Sequence, residues 1–491
     1  MKSFYQKNLP KQYRFLEKIK LSVEFLTKTI RIRAMAKLIK QHKTLFLIIG
    51  DLVVLYCALL LTLLVRGPSD IGSILLIHLR YFSIIFLPWL LVLYITGLDD
   101  KKLINNKSVF FKKLVQATLI NGAIAVAFFY LLQSPISPKR NLFFVMVFFW
   151  ILFYLWRQIF YLAIKSNFLM TKIAFVGINK EVLEIIDLLE KNPQFGYRID
   201  FVLTSKENPI ISLVPKHINL RQGLSSLNNL LETSSVNKII VAMNPESNPV
   251  LAKELYHSSS NIEFIYFPDF YEQITQKIPI EMINRFWLQS KTTEKSYEFF
   301  KRIFDITLAT LGGVILAVLF PFISLAYIFS DGFPITFTQS RVGRHGKKFR
   351  IYKLRTMIKD AERERPLWAE ENDVRVTRLG RFLRKYYIDE FPQFLNILKG
   401  EMSVVGPRPE RPEFVKTLEK EITFYPLRNM ARPGVTGWAQ VNSFYARSVD
   451  DSVEKTRYDL YYVKNHSLIF DIEIILRTVK MIFSKREKQN Y

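Results

Sequence analysis

Two adjacent carboxylates, Asp389 and Glu390, stand in the run RKYYIDEFPQFLNILKGEMSVVGPRPER, the stretch of this 491-residue chain whose residue types and spacing most resemble a chemical site. Phe391, Phe394, Leu395 and Leu398 recur at helical spacing, Pro392 falls in a first turn and Gly400 can end the helix. That reading puts Asp389 at an N-cap, where backbone N–H groups and a partial positive charge favour an ionised carboxylate and any phosphate brought to it. Cations punctuate the surrounding sequence: Lys353 and Arg355 in FRIYKLRTM, Arg375, Arg378, Arg381 and Arg384 in VRVTRLGRFLR, then Arg408 and Arg411. Guanidinium forks suit phosphate oxygens and the compact charge of lysine suits a diphosphate. A charge run is usually a solvated face, but here the cations interrupt apolar and glycine-containing motifs. The pattern points to chemistry on a phosphorylated substrate.

The rest of the chain must hold that site somewhere, and its charge says where. A formal net charge of +26 calls for an anionic partner: nucleic acid, an anionic leaflet or an anionic substrate. Long apolar runs decide for the lipid bilayer and against nucleic acid. The single cysteine, Cys57, lies in one of those runs, which excludes an intrachain disulfide and a thiolate metal cluster, and the six histidines have no ligand spacing. Residues 1–43 are polar and basic, with Lys2, Lys7, Lys11, Arg14 and further cations against Glu17 and Glu24, unlike a cleavable signal peptide. They read as a basic cytoplasmic segment.

Four apolar segments follow within residues 44–165, roughly Thr44 to Val65, Tyr81 to Leu98, Val115 to Leu132 and Leu142 to Ile164. Each approaches the ~20 residues that cross a bilayer. Lys101, Lys102, Lys107, Lys112 and Lys113 load the middle loop, whereas the turns at Arg66 to Ile71 and Gln133 to Arg140 are less basic, so both ends of this region are expected in the cytoplasm. Arg80 and Arg157 near segment ends read as snorkelling side chains.

From residue 171 to 298 the texture is α/β. TKIAFVG, NKIIVAM and IEFIYF read as strands and Lys180 to Lys191 as a helix, which suggests a Rossmann-like parallel sheet, with residues 270–298 as a linker. Gly177 is followed by Ile178, Asn179 and Lys180, so the glycine-rich turn of a dinucleotide site is missing, and no Tyr-x-x-x-Lys pair occurs between Thr171 and Phe267. A structural or regulatory domain fits better than a dehydratase or epimerase.

Apolar texture returns over residues 299–332. Pro321 breaks the run, and cations flank it on both sides, Lys301 and Arg302 before and Arg341, Arg344, Lys347, Lys348 and Arg350 after. A helix that enters the membrane, turns at Pro321 and returns to the same face accommodates both clusters. Residues 333–491 then form a mainly helical α+β unit. Its tail carries Ile472, Ile475, Leu476, Val479, Ile482 and Phe483 on one face, followed by Lys485, Arg486 and Lys488, for the membrane surface or the domain core. Trp438 and Gln440 read as structural.

The motifs KRIFD, DGFPITFTQSRVGRHGKKFRIYKLRTM, RVTRLGRFLRKYYIDEFPQFLNILKGEMSVVGPRP, RPGVTGWAQVN and YDLYYVKNHSLIFDIEIILRT resemble those of bacterial polyprenyl-phosphate sugar-1-phosphate transferases, the monotopic phosphoglycosyl transferases. The preceding helices and α/β domain resemble the larger members. Tyr386 and Tyr387 before Ile388, and Glu401 in place of a frequent Asp, depart from the family pattern. The resemblance implies transfer of a hexose 1-phosphate from a UDP-sugar to undecaprenyl phosphate with release of UMP, starting an exopolysaccharide, capsule or O-antigen repeat. It implies Asp389 as a nucleophile forming a phospho-aspartate, supported by Glu390. Mg²⁺ is the expected ion, with Asp389 and Glu390 as ligands, because oxygen donors and substrate phosphates suit it. Lys353, Arg355, Arg384 and Arg408 are the expected phosphate contacts. The same resemblance implies a multi-pass protein of the bacterial inner membrane with a cytoplasmic catalytic domain, and is compatible with a homodimer. Rival readings are a membrane phosphatase or phosphodiesterase using the same aspartate, and a scaffold for polysaccharide assembly.

Overall fold

The computed structural model describes residues 43–67, 71–98, 107–131, 138–165, 170–204, 209–223, 236–243, 262–282, 295–359, 373–443 and 448–484, with isolated positions between 224 and 261 and residue 361. The basic N-terminal segment up to residue 42, Lys101 and Lys102, and the tail cations Lys485, Arg486 and Lys488 lie outside the described residues. The chain divides into two compact units: residues 1–178, 186–239 and 245–263, and residues 179–185, 240–244 and 264–491.

The first unit opens with four helices, α1 (Lys43–Arg66), α2 (Ile71–Ile95), α3 (Lys107–Leu131) and α4 (Pro138–Lys165), each long and apolar enough to cross a membrane. Leu55, Phe82, Phe86, Trp89, Phe149 and Phe153 form their shared core. Two expectations are corrected. Helices α2 and α3 start at Ile71 and Lys107, so Arg80, Lys107, Lys112 and Lys113 belong to helices rather than to segment ends or a loop. An apolar-run criterion stops at the first charge, whereas the backbone hydrogen bonds do not. Arg157 does not snorkel: it is buried and its Nη2 donates to Asp51 Oδ2 at 2.8 Å. Toward the other ends of α1 and α4, Arg66 donates to Asn141, whose Nδ2 lies 2.8 Å from His78 Nε2. Such polar ties are stabilised by the absence of competing water.

The α/β region comprises β1 (Thr171–Val176), α5 (Lys180–Lys191), β2 (Tyr197–Thr204), β3 (Asn219–Gln222), β4 (Lys238–Val241) and β5 (Glu263–Tyr266). The strand order is β3-β2-β1-β4-β5, and β2 runs parallel to both β1 and β3. This is the order of a doubly wound sheet. The three expected strands are present. Strand β2, YRIDFVLT, escaped sequence reading because Arg198 and Asp200 interrupt its apolar residues, so it lacks the continuous apolar run of β1 and β4.

The second unit includes the segment expected as a linker, and its first part is docked instead. Helix α6 (Phe267–Thr275) buries Phe267, Phe270 and Tyr271, and Ile278 and Ile280 enter a core with Val415, Leu418 and Leu460. Helix α7 (Lys295–Phe329) runs unbroken through Pro321. The expected break is therefore not an end of the helix: Pro321 removes one donor, and the neighbouring turns keep their bonds. Both ends of α7 are anchored in this unit. Arg302 donates to Ile397 O at 2.6 Å and Leu398 O at 2.8 Å, Lys301 lies 3.0 Å from Asp471, Asp305 accepts from Ser403 Oγ and Val404 N, and the Tyr327 hydroxyl donates to Arg355 O. Between those anchors Val314, Val318 and Phe322 are exposed, Phe322 by 70%.

An antiparallel hairpin follows, β6 (Thr336–Val342) and β7 (Lys348–Leu354). After it come α8 (Arg378–Lys385), a 3₁₀ segment (Ile388–Gln393), α9 (Phe394–Lys399) and β8 (Ser403–Val405). The chain then makes α10 (Pro412–Glu421), a 3₁₀ turn (Tyr425–Met430), β9 (Gly434–Thr436), α11 (Trp438–Asn442), α12 (Val449–Asn465) and α13 (Leu468–Ser484). Strands β8 and β9 pair in parallel. Trp438 is buried and donates to Gln276 O at 3.0 Å, a structural role as expected. In α13 the packed residues are Phe470, Ile474 and Ile475, against Val405, Trp438 and Tyr462. Ile472 of the expected face points outward, 46% exposed.

Candidate active site

Hairpin strand β7 delivers Lys353 and leads directly to Arg355 and Thr356. Helix α8 lies against that segment, because Gly380 has no Cβ: one added there would sit 2.1 Å from Thr356 O. The Thr377 hydroxyl caps α8 at Gly380 N, and its backbone N–H donates to Thr356 O. Arg384, in the last turn of α8, then donates from Nε to Thr356 Oγ1 at 2.8 Å.

The chain leaves α8 through Tyr387 in the left-handed region, φ 57°, and enters the 3₁₀ segment that carries both acids. Asp389 is therefore not an N-cap. The reason is local: the Glu390 N–H is already donated to Tyr387 O, Pro392 has no N–H to give, and the α-helix starts only at Phe394. The expected phosphate cradle of free helix N–H groups is absent at Asp389. Gly400, at φ 82°, ends α9 as expected.

Side chains replace that cradle. Glu390 is buried and accepts from Lys353 Nζ at 3.0 Å and Arg408 Nη2 at 2.5 Å through Oε1, and from Arg408 Nη1 at 3.3 Å through Oε2. Asp389 is also buried, and its Oδ1 has no hydrogen-bond partner among the described residues. Burial would raise the pKa of Glu390, but Arg408 and Lys353 outweigh it and hold the carboxyl well below the usual range. Burial, then the neighbouring Glu390 charge, pushes Asp389 upward against the pull of Lys353, Arg384 and Arg408. Burial lowers Lys353 despite Glu390. The two adjacent acids are thus driven apart, Glu390 toward its ionised form and Asp389 toward its neutral one.

Of the expected phosphate contacts, Lys353 and Arg408 meet at Glu390. Arg384 bears electrostatically on Asp389 from Thr356. Arg355 turns toward the end of α7, donating from Nη2 to Asp331 O at 2.7 Å and Gly332 O at 2.6 Å, while its Nε and Nη1 have no hydrogen-bond partner among the described residues. Pro321 lies in the exposed stretch of α7. Sequence reading missed Asn396, whose amide ties Tyr352 N, Arg350 O and Glu401 Oε2 together behind the site. A polar residue inside the apolar run FLNIL was the available signal.

The acids and an incoming Mg²⁺ are chemically compatible. Mg²⁺ keeps waters and substrate phosphates as ligands and needs few from protein. Asp389 Oδ1 is a free hard oxygen, whereas the Glu390 oxygens already hold two cations.

The family model for bacterial sugar transferases matches residues 296–485, the span that contains all of these groups. An uncharacterized sugar transferase of Bacillus subtilis, EpsL, is 39% identical over 183 residues, 37% of this chain and 86% of that protein. The chain belongs to the bacterial sugar transferase family. A UDP-N-acetylgalactosamine-undecaprenyl-phosphate N-acetylgalactosaminephosphotransferase of Aeromonas hydrophila is 39% identical over 213 residues, 43% of this chain and 50% of that protein. A UDP-glucose:undecaprenyl-phosphate glucose-1-phosphate transferase of Klebsiella pneumoniae is 29% identical over 317 residues, 63% of this chain and 67% of that protein. This chain thus covers half and about two thirds of the length of these two relatives. The family segment is the second unit from α7 to α13.

Proposed function

We propose that this chain transfers a hexose or N-acetylhexosamine 1-phosphate from a UDP-sugar to undecaprenyl phosphate, the step that starts a surface-polysaccharide repeat. The observation that carries the reading is the buried Asp389 oxygen without a partner, beside a Glu390 already neutralised by Lys353 and Arg408. The names of the Aeromonas and Klebsiella relatives support the substrate classes.

In this mechanism the Asp389 carboxylate attacks the phosphorus bonded to the sugar. An aspartyl O–P bond forms, the P–O bond to the nucleotide breaks, and UMP leaves with the electron pair. An oxygen of undecaprenyl phosphate then attacks the same phosphorus, the aspartyl bond breaks, and the carboxylate returns. Lys353, Arg384 and Arg408 offset the phosphoryl charge, and Arg355 offers its two unpartnered guanidinium nitrogens. Mg²⁺, held by Asp389 with Glu390 beside it, would supply further charge neutralisation. The unit works at the cytoplasmic face of the inner membrane, with the apolar middle of α7 in the bilayer; that exposed middle and the two ends anchored in the catalytic unit support the placement.

Detergent-solubilised protein incubated with a panel of UDP-sugars, Mg²⁺ and undecaprenyl phosphate tests the reading. Lipid-dependent UMP release, with sugar phosphate retained on lipid, is expected. Release without added lipid would identify a hydrolase instead, and no release with any donor would overturn the proposal.

A further inference from the structure

The turn that carries Arg408 has two prolines, Pro407 and Pro409, and so lacks two backbone donors. Its conformation is held through its acceptors. Pro407 O accepts from Gly434 N at 3.0 Å, Arg408 O from Arg428 Nη2 at 2.9 Å, Pro409 O from Arg341 Nη1 at 3.1 Å and Glu410 O from Val342 N at 2.9 Å. Four consecutive carbonyls are pinned. Gly406 completes the fit, since an added Cβ would meet Arg432 O at 2.1 Å.

Among these donors Arg428 is the one set most elaborately. It is 3% exposed, and three of its nitrogens are used. Nε and Nη2 donate to Asp459 Oδ2 at 3.0 and 2.6 Å, and Nη1 donates to the Tyr425 hydroxyl at 3.0 Å. Asp459, in α12, is 2% exposed. Next to them Glu410 accepts from Lys455 at 2.9 Å; burial raises its pKa, but Lys455, Arg428 and Arg341 outweigh this and bring it to about 2. A buried ion pair contributes little net stability over apolar packing, so what it contributes here is geometry.

We infer that Arg428, oriented by Asp459, is a positioning residue that fixes the main chain at Arg408 so that the Arg408 guanidinium reaches Glu390. The inference deepens the proposed transfer reaction and rests on it for its kinetic consequence, although the contact itself does not depend on which substrate is used. Without the Arg428 donor the Arg408 carbonyl loses that hydrogen bond, the turn relaxes, and the Glu390 charge loses its strongest partner. Lysine at 428 keeps a cation but cannot bond an acid, a hydroxyl and a carbonyl at once.

The test is a double-mutant cycle in the full-length protein, with hydrogen exchange as a second readout. Arg428→Gln is expected to lower kcat/KM by about 10²-fold, the cost of a misplaced catalytic group. In an Arg408→Ala background the same change should cost no more than about threefold, because the group it positions is gone. Equal losses in both backgrounds would make Arg428 merely structural and overturn the inference. Exchange at residues 406–411 should accelerate in Arg428→Gln while α1 to α4 are unaltered; unchanged exchange there also overturns it. If the glutamine variant does not fold, Arg428→Lys carries the same two measurements. Wild-type protein without lipid-dependent turnover would sink the transferase reading alone, leaving the exchange result to decide the positioning role.

Discussion

Glu390 and Asp459 are both buried carboxylates answered by arginine within one unit, yet they sit in clusters of opposite character. Around Asp459 every nitrogen of Arg428 is bonded, to an acid, a phenol or a backbone carbonyl. Around Glu390 the acid is satisfied by Lys353 and Arg408, but its neighbour Asp389 keeps an oxygen with no partner. The first cluster is closed and sets geometry; the second is left open at the oxygen that the proposed transfer would use. Polar completeness, rather than burial or charge, distinguishes the two clusters, because both are buried and charged.

Breaking the open cluster at Asp389 should have the largest kinetic effect and no structural cost. Asp389→Asn is expected to reduce lipid-dependent UMP release by about 10⁴-fold or more, as for other nucleophile deletions. Its thermal midpoint should hold or rise, since burial and Glu390 both disfavour the ionised Asp389 that is removed. Appreciable turnover in this variant would remove the distinction between the clusters. The closed cluster should respond the other way round in stability: Asp459→Asn leaves Arg428 buried without its counter-charge and should cost about 3–5 kcal/mol in a denaturation measurement. Glu390→Gln should cost less, because Lys353 and Arg408 are 18% and 27% exposed and can regain water.

The pH response sharpens the same contrast. The raised pKa of Asp389 means that its nucleophilic form is lost, as pH falls, above the ordinary aspartate range. The depressed pKa of Glu390 means that its contribution to stability is present above the usual glutamate range and lost only as pH falls through the lowered value. Between those limits activity should fall while the fold persists, which a pH–rate profile measured beside melting midpoints will show. Coincident loss of both would contradict the split. The smallest effect is expected from Gly380→Ala. Its Cβ displaces α8 from Thr356 and shifts Arg384 rather than either acid, so a loss of about tenfold in kcat/KM with UMP release still lipid-dependent is expected.

The amino-acid sequence alone determined what depends on neighbours along the chain. The apolar runs specified the helices of the first unit, the apolar bursts specified β1, β4 and β5, and Asp389-Glu390 with their flanking cations marked the stretch on which the proposed transfer rests. Tertiary structure decided everything that depends on which distant residues meet. Arg157 finds Asp51 across 106 positions, and Arg428 finds Asp459 across 31, and neither spacing carries a local signal. The same holds for the site. Sequence periodicity made Asp389 a helix cap, whereas Tyr387, Pro392 and the packing of α8 put it in a 3₁₀ turn, and β7 and the 406–409 turn supplied cations in place of a free helix end. A carboxylate's partners are set by the convergence of separate elements, and that convergence made one of two adjacent acids a counter-ion and left the other open.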